Sequence, residues 1–374
     1  MSRYLFASHD GFGLGHVRRN TLVARALLEQ EPAAEIVIVT GLPMRPAWLG
    51  DERLTVVSVP PLLKDSSGSY RNSELSFDEA VERRADAFTD AVARFAPDVA
   101  VIDRHPYGVA GELRPGLDHA RTHGAALVLG LRDILDQPSV VTEELAGRGW
   151  ADVASTYDEV LVYGEPVLCD QEVEYVLPMR PQYCGWVVDS VPARDREPGL
   201  VVVTGGGGGD GREVFRIGVE LAALRRDGRV VLVAGPYATS DVLPTSASPH
   251  DRQPEVVRDA PGCPELFARA SGIVQMAGYN STFESLAAGI RPILVPRRSP
   301  RREQAIRASR LAALGLADIV DESAPADEVA WLLERPRVLT AGALERAGVR
   351  LDGAPRSAVA IRSLVGATVS WPPA

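Results

Sequence analysis

The segment from Gly278 to Pro296, GYNSTFESLAAGIRPILVP, holds the residue types needed to bind an anion and a sugar close together. It reads as a glycine-containing loop, a short amphipathic helix and an apolar strand run that ends in proline. Asn280, Ser281 and Thr282 suit helix capping, so the helix is expected to open among them. The unpaired first amides of that helix and the positive end of its dipole make a phosphate site, with Gly278 in the loop leading in. Glu284 lies just inside, where a carboxylate can accept both hydroxyls of a ribose. A diphosphate and a ribose at one helix start indicate a nucleotide.

Two other glycine runs follow strands. Gly205 to Gly209 precede Asp210, and such backbone freedom lets amides such as those of Gly206 and Gly207 wrap an anion. The turn GFGLGH, Gly11 to His16, permits close backbone approach to a ligand at Gly13, although a tight turn with no ligand has the same sequence. It is not the full dinucleotide fingerprint. His16 closes this turn and is a candidate general base, since imidazole titrates near pH ~6.5.

In IDRHPYG, Asp103, Arg104 and His105 follow an apolar run and are expected at the carboxyl edge of a sheet; in LGLRDILD the same holds for Arg132 and Asp133. A turn closed by Pro106 is the plain alternative for the first. His9 reads equally well as a surface residue, and His119 and His123 as a solvated helix face. Downstream, RRSPRREQAIRASR places Arg297, Arg298, Arg301 and Arg302 in a positive loop suited to a diphosphate. No Asp-x-Asp occurs, which fits a leaving group held by amides, dipole and arginine rather than by a divalent ion.

These residues need a scaffold of alternating strands and helices, and the pattern supplies one. Strands are predicted at Tyr4 to Ser8, Ile36 to Thr40, Val99 to Asp103, Ala126 to Gly130, Glu159 to Tyr163, Leu200 to Thr204, Val230 to Ala234, Gly272 to Gln275 and Pro292 to Val295. Helices are predicted at His16 to Leu28, Phe77 to Phe95 and Gly108 to His123. The alternation points to parallel sheets, and 374 residues to two domains. The polar stretch VDSVPARDREPG, Val188 to Gly199, is the expected hinge, and Pro236 to Pro254 a surface loop. A net charge of -10 argues against a nucleic-acid partner. Cys169, Cys184 and Cys263 are odd in number and far apart, which suits a reducing cytoplasm and gives no disulfide framework or zinc site. The opening MSRYLFASHDGFGLGH lacks the apolar region of a signal peptide, and no run approaches the about 20 apolar residues of a membrane span.

On GYNSTFESLAAGIRPILVP, GFGLGH, IDRHPYG, LGLRDILD and Gln304, the chain resembles the inverting glycosyltransferases of family 28, the peptidoglycan N-acetylglucosaminyltransferase-like superfamily. Within it, the chain looks most like a bacterial group of predicted glycosyltransferases. The resemblance implies an α/β chain of the GT-B class, two doubly wound Rossmann-like domains facing a cleft. Residues 1–188 would bind the acceptor and residues 199–374 the nucleotide sugar, with a final helix, Arg356 to Leu364, packing back on the first domain. It further implies metal-independent, inverting transfer from a nucleoside diphosphate sugar, UDP-linked, to a small-molecule or lipid-linked acceptor, without a cofactor. Peripheral membrane contact stays open.

Among site residues, the resemblance implies His16, Asp103 and Asp133 for the chemistry. It implies Gly13, Gly206, Gly207, Gly278, Asn280, Ser281, Thr282 and Glu284 for the donor nucleotide, and Glu303, Gln304 and Arg307 for its sugar. Phe12 and Leu14 stand where the superfamily has glycines; Glu303 and Arg307 stand where it has Gln and Asn, which suggests a donor sugar other than N-acetylglucosamine. Two rival functions share the architecture: a nucleotide-sugar 2-epimerase, with Asp103, His105 and Asp133 as acid and base, and a non-catalytic nucleotide-binding partner.

Overall fold

The central strands of this chain are short, mainly apolar runs such as VAVID and LVVVT, buried on both faces, the pattern of a parallel sheet covered by helices on both sides. The structure is a computed structural model that describes residues 1–9, 14–42, 49, 52–64, 70–192, 194–207, 211–225, 227–235, 238, 243, 252–258, 263–299 and 301–366. Gly13 and residues 208–210 of the two glycine runs, and most of the loop at 236–254, lie outside these. The chain divides into two compact units, Met1–Val187 with Asp352–Ala374, and Val188–Leu351.

In the first unit the order is β1 (Arg3–Ala7), α1 (Gly15–Gln30), β2 (Glu35–Thr40), β3 (Leu54–Ser58), a small hairpin of β4 (Leu63–Lys64) and β5 (Tyr70–Arg71), α2 (Phe77–Phe95), β6 (Val99–Asp103), α3 (Arg114–Thr122), β7 (Ala126–Arg132), α4 (Pro138–Leu145), α5 (Val153–Thr156), β8 (Glu159–Tyr163), α6 (Gln171–Glu174) and β9 (Gln182–Tyr183). Among the described residues the sheet has seven parallel strands in the order β3-β2-β1-β6-β7-β8-β9. The order reverses at β1, so the carboxyl ends of β1 and β6 lie side by side at a topological switch point.

The second unit runs β10 (Leu200–Thr204), α7 (Arg212–Leu224), β11 (Arg229–Ala234), β12 (Glu255–Arg258), α8 (Pro264–Arg269), β13 (Gly272–Gln275), α9 (Tyr279–Ala287), β14 (Ile293–Leu294), α10 (Glu303–Ala313), β15 (Asp318–Ile319), α11 (Ala326–Leu333) and α12 (Ala343–Arg346). Its parallel sheet has the order β12-β11-β10-β13-β14-β15 among the described residues. Alternate residues of each strand feed opposite cores: Val201, Val203 and Leu232 pack with α7, while Leu200, Val202 and Val231 pack with Phe267 of α8.

The last helix, α13 (Gly353–Ser363), belongs to the first unit. Gly353 donates its amide to the Trp186 carbonyl at 3.0 Å, and a side chain there would collide with the Gly185 and Trp186 backbone. Arg356 adds an ion pair to Glu165 at 2.7 Å, and Gln30 of α1 donates to the Pro355 carbonyl.

The structure corrects two predicted elements. The helix expected from Gly108 starts only at Arg114, because Gly108 and Gly111 adopt φ of +85° and +87° and turn the chain first. The helix expected to open among Asn280, Ser281 and Thr282 opens at Tyr279, capped by Gly278 with no side-chain cap. The glycine already provides the extended turn (φ -67°, ψ 151°), and the three polar residues fall inside the helix.

Candidate functional site

The switch point of the first sheet assembles the chemistry of the first unit. Asp103 is the last residue of β6 and His16 the second residue of α1, the helix that follows the neighbouring strand β1. The face of α1 built on Val17, Ala24, Leu27 and Leu28 is buried, and Asn20 ties it to the end of β1 through the Ser8 hydroxyl at 2.7 Å. That docking brings His16 Nδ1 to 2.9 Å from Asp103 Oδ2. A carboxylate there accepts from Nδ1–H, which leaves Nε2 as the basic nitrogen. Among the described residues His16 Nε2 makes no hydrogen bond, and the side chain keeps 23% of its surface exposed.

Asp103 is itself fully buried and has a second partner. Arg19, one turn beyond His16, sends Nη2 to both carboxylate oxygens at 2.7 and 2.8 Å. Its guanidinium lies 4.9 Å over the ring of Tyr163, the last residue of β8. Burial alone would raise the Asp103 carboxyl, but Arg19 and then His16 hold it well below the usual carboxylate range. Burial lowers the His16 imidazole, opposed by Asp103 and aided by Arg19.

Two more imidazoles stand beside His16. His9, two residues past β1, lies with its ring centroid 5.7 Å from that of His16 and 4.3 Å from that of His105. Tyr70 of β5 joins them, its hydroxyl 3.2 Å from His9 Nε2 and 3.5 Å from His105 Nε2. Burial, then the two neighbouring imidazoles, pushes His9 well below its ordinary value. A cavity of about 20 Å³, lined by Ser8, His9, Asp103 and His105, has room for about one water. Between Asp103 and His105, Arg104 takes φ +72°, rare for a residue with a side chain, and its guanidinium grips Glu144 with two bonds of 2.8 Å. The clamp fixes the turn from which Asp103 and His105 both project.

Asp133 lies elsewhere along the sheet edge. One carboxylate oxygen accepts from the Ile134 amide at 2.8 Å and the other from Trp186 Nε1 at 3.2 Å, while Gln171 Nε2 caps its carbonyl. Both oxygens are taken by donors of the fold, so the residue anchors the end of β7. Sequence reasoning missed Arg19 and left His9 open between the turn and a surface position. The signal for Arg19 was a charge three residues after His16, one turn along the same helix; that for His9 was its place just beyond β1.

In the second unit, β10 ends in Thr204 and the chain turns through Gly206, at φ +77°, whose amide donates to the Thr204 hydroxyl at 3.1 Å. Gly207 follows, and α7 begins at Arg212. On the far side of β10, β13 leads through Met276 and Ala277 to Gly278 and α9. The amides of Tyr279, Asn280 and Ser281 are those that a helix leaves without intrahelical carbonyls, and Thr282 makes the first closing bond, to the Gly278 carbonyl. The Thr282 hydroxyl is buried without a hydrogen-bond partner among the described residues. Glu284 is 4% exposed, at the end of the second turn.

Glu303, Gln304 and Arg307 form the buried face of the start of α10. Glu303 pairs with Arg297 at 3.2 Å, and Gln304 Oε1 accepts from the Arg297 amide at 3.2 Å. Arg307, fully buried, donates to the Ala277 carbonyl at 2.7 Å, so it holds the loop one residue ahead of the cap of α9. Of the basic loop, Arg297 and Arg298 already face acids, Glu303 and Asp321. Among the described residues no group of three acidic, cysteine or histidine side chains could hold a metal, and no helix is long and apolar enough to cross a membrane.

No protein-family model matches the chain. Its sequence is 25% identical over 321 residues, 78% of each chain, to UDP-N-acetylglucosamine--N-acetylmuramyl-(pentapeptide) pyrophosphoryl-undecaprenol N-acetylglucosamine transferase of Leuconostoc mesenteroides. The fold is that of the MurG protein of Acinetobacter baumannii, with a TM-score of 0.62 at 16% identity over 97% of this chain and 100% of that one. The glycosyltransferase of kitacinnamycin superposes with a TM-score of 0.68 at 17% identity, covering 97% and 99%. The resemblance read from the motifs thus holds in sequence and in fold: two Rossmann-like units of the GT-B type.

Proposed function

We propose that this chain is a glycosyltransferase that moves a sugar from a nucleoside diphosphate, uridine-linked, to a hydroxyl of a small-molecule or lipid-linked acceptor in the cytoplasm. The observation that carries the reading is the His16–Asp103 pair at the switch point of the first sheet, 2.9 Å apart, with Nε2 of the imidazole making no hydrogen bond among the described residues. Asp103 fixes the tautomer; His16 Nε2 takes the proton of the acceptor hydroxyl as its oxygen attacks the anomeric carbon. General base catalysis of this kind contributes about 10²–10⁴-fold. Attack opposite the departing diphosphate inverts the anomeric centre.

The donor belongs to the second unit. Gly206 and Gly207, with Gly278, the first amides of α9 at Asn280 and Ser281 and the hydroxyl of Thr282, face the diphosphate, and Glu284 takes the ribose hydroxyls. Gln304 reads the sugar. Glu303, paired with Arg297, and Arg307, bonded to the Ala277 carbonyl, act on that side by shaping the loop rather than by direct contact. Amides, the α9 dipole and the loop arginines neutralise the leaving group without a divalent ion, a reading supported by the lack of any Asp-x-Asp in the chain. Asp133 is assigned to anchoring β7.

Calorimetric titration with UDP and GDP in the presence of EDTA tests this assignment. The native protein is expected to bind UDP in preference to GDP, and Glu284→Ala to weaken it by about tenfold or more, about 1.4 kcal/mol. Absence of binding to either nucleotide, or indifference to the substitution, would remove the donor site. Analysis of the products formed from UDP-sugar without acceptor separates transfer from epimerisation.

A further inference from the structure

Asp103 serves two partners, His16 and Arg19, and only one of them is the base. A carboxylate that answers to His16 alone would stabilise the protonated imidazole and raise its basicity. Here Arg19 contacts both carboxylate oxygens, more closely than His16 does, and sits entirely inside the unit at 2% exposure. Its Nη2 also lies 3.2 Å from His16 Nδ1, so a positive charge borders the imidazole from the same helix. A buried guanidinium is costly unless its position is fixed by partners. Asp103 and the Tyr163 ring fix this one, and Tyr163 reaches it because β7 has Gly130 beside it: a Cβ there would meet the Tyr163 hydroxyl at 2.6 Å.

We propose that Arg19 is a positioning residue: it holds Asp103 in place while neutralising it, so that Asp103 orients His16 without charging it. The inference rests on His16 being the base in the proposed transfer. Arg132 from the end of β7 acts in the same sense and disfavours the protonated form of His16, while the rings of His9 from the end of β1, and of His105 after β6 and Tyr70 of β5 behind it, pack on this side. Asp103 from β6 favours protonation, and Arg19 offsets it. The arrangement yields a base already unprotonated at neutral pH whose Nε2 points away from its carboxylate.

Proton–nitrogen correlation spectra of the six histidines, with His16 assigned by its loss in His16→Gln, measure this directly. In the native protein His16 is expected to titrate below about pH 6.5. In Arg19→Met it is expected to titrate above that value. Transfer by this variant should then fall about tenfold further at about pH 6 than at about pH 8.5, since a protonated imidazole cannot accept. Arg19→Lys, which keeps the charge without the planar fork, should retain the native titration and recover most activity at low pH.

Native His16 titrating at or above about pH 6.5 overturns the proposal without any variant. So does a loss in Arg19→Met that is equal at every pH with an unmoved titration, the mark of a purely structural arginine. If the Met variant does not fold, the native titration and the Lys variant decide alone. If no sugar donor supports transfer, the function assigned above fails while the titration still reports on Arg19.

Discussion

Tyr163 fills the space that a side chain on Gly130 would need. The two lie diagonally on adjacent strands, Gly130 paired with Leu161 two residues before Tyr163, and a Cβ at Gly130 would come within 2.6 Å of the tyrosine hydroxyl. Glycine at this point of β7 is therefore a packing requirement of the ring that backs Arg19. Gly130→Ala is expected to displace Tyr163 and lower stability by about 1–3 kcal/mol, as overpacking of a well-filled core does. The urea midpoint checks this, and Gly130→Ala/Tyr163→Phe, which frees the space of the hydroxyl, should recover part of the loss.

Asp103→Asn keeps the shape of the side chain and removes its charge. Arg19 then stays buried opposite a neutral amide, and breaking a buried pair by removing one partner costs about 3–5 kcal/mol. The variant is expected to unfold at a clearly lower urea concentration than the native chain. His16→Ala leaves the Arg19–Asp103 pair intact. It is expected to be near native in stability and to lose about 10²–10⁴-fold in turnover.

Stability should depend on pH through the imidazoles. The folded values of His9 and His16 lie below the unfolded value of about 6.5, mainly because burial disfavours the charged ring. As pH falls through about 6.5 the unfolded chain takes up protons that the folded chain refuses, so unfolding becomes easier. Above about pH 7.5 both states hold neutral rings and this contribution is flat. Asp103 works at a lower pH: its stabilisation is present above the ordinary carboxylate range and is lost only when pH falls through its depressed folded value. Urea unfolding between about pH 5 and pH 8, with His9→Gln showing the shallower slope, is the check.

Arg307→Asn restores the residue that the resemblance places there and removes the clamp on the Ala277 carbonyl. A buried acceptor left without its donor costs about 1–3 kcal/mol, so the substitution is expected to destabilise the protein despite being the family's own choice. An unchanged urea midpoint would refute the clamp.

How far the sequence could be read depended on burial and on locality. The strands Val99–Asp103, Glu159–Tyr163, Leu200–Thr204 and Gly272–Gln275 lie where their apolar runs placed them, because a central parallel strand must be apolar on both faces. The outer strand Leu54–Ser58 and the short strands Gln182–Tyr183, Glu255–Arg258 and Asp318–Ile319 were not foreseen. Leu54–Ser58 mixes Leu and Val with Thr and Ser and is buried only at Leu54, the other three are short, and in Glu255–Arg258 all but one residue is exposed. Asp103 and His16 were each recognisable as polar groups at strand and helix ends. Their contact was not, since it spans 87 positions and exists only because β6 pairs with β1. Arg19 escaped for the same reason: a charge on a buried helix face makes sense only once its carboxylate partner is known.

The contact between Gly353 and Trp186 has a consequence for synthesis. The chain leaves the first unit at Val187 and re-enters it at Asp352, where the two residues form a bridge, and α13 then covers ground beside α1 and Trp186. The second unit is thus an insertion within the first. On the ribosome it emerges whole while the first still lacks its last helix, so the part of the chain translated first is the part finished last.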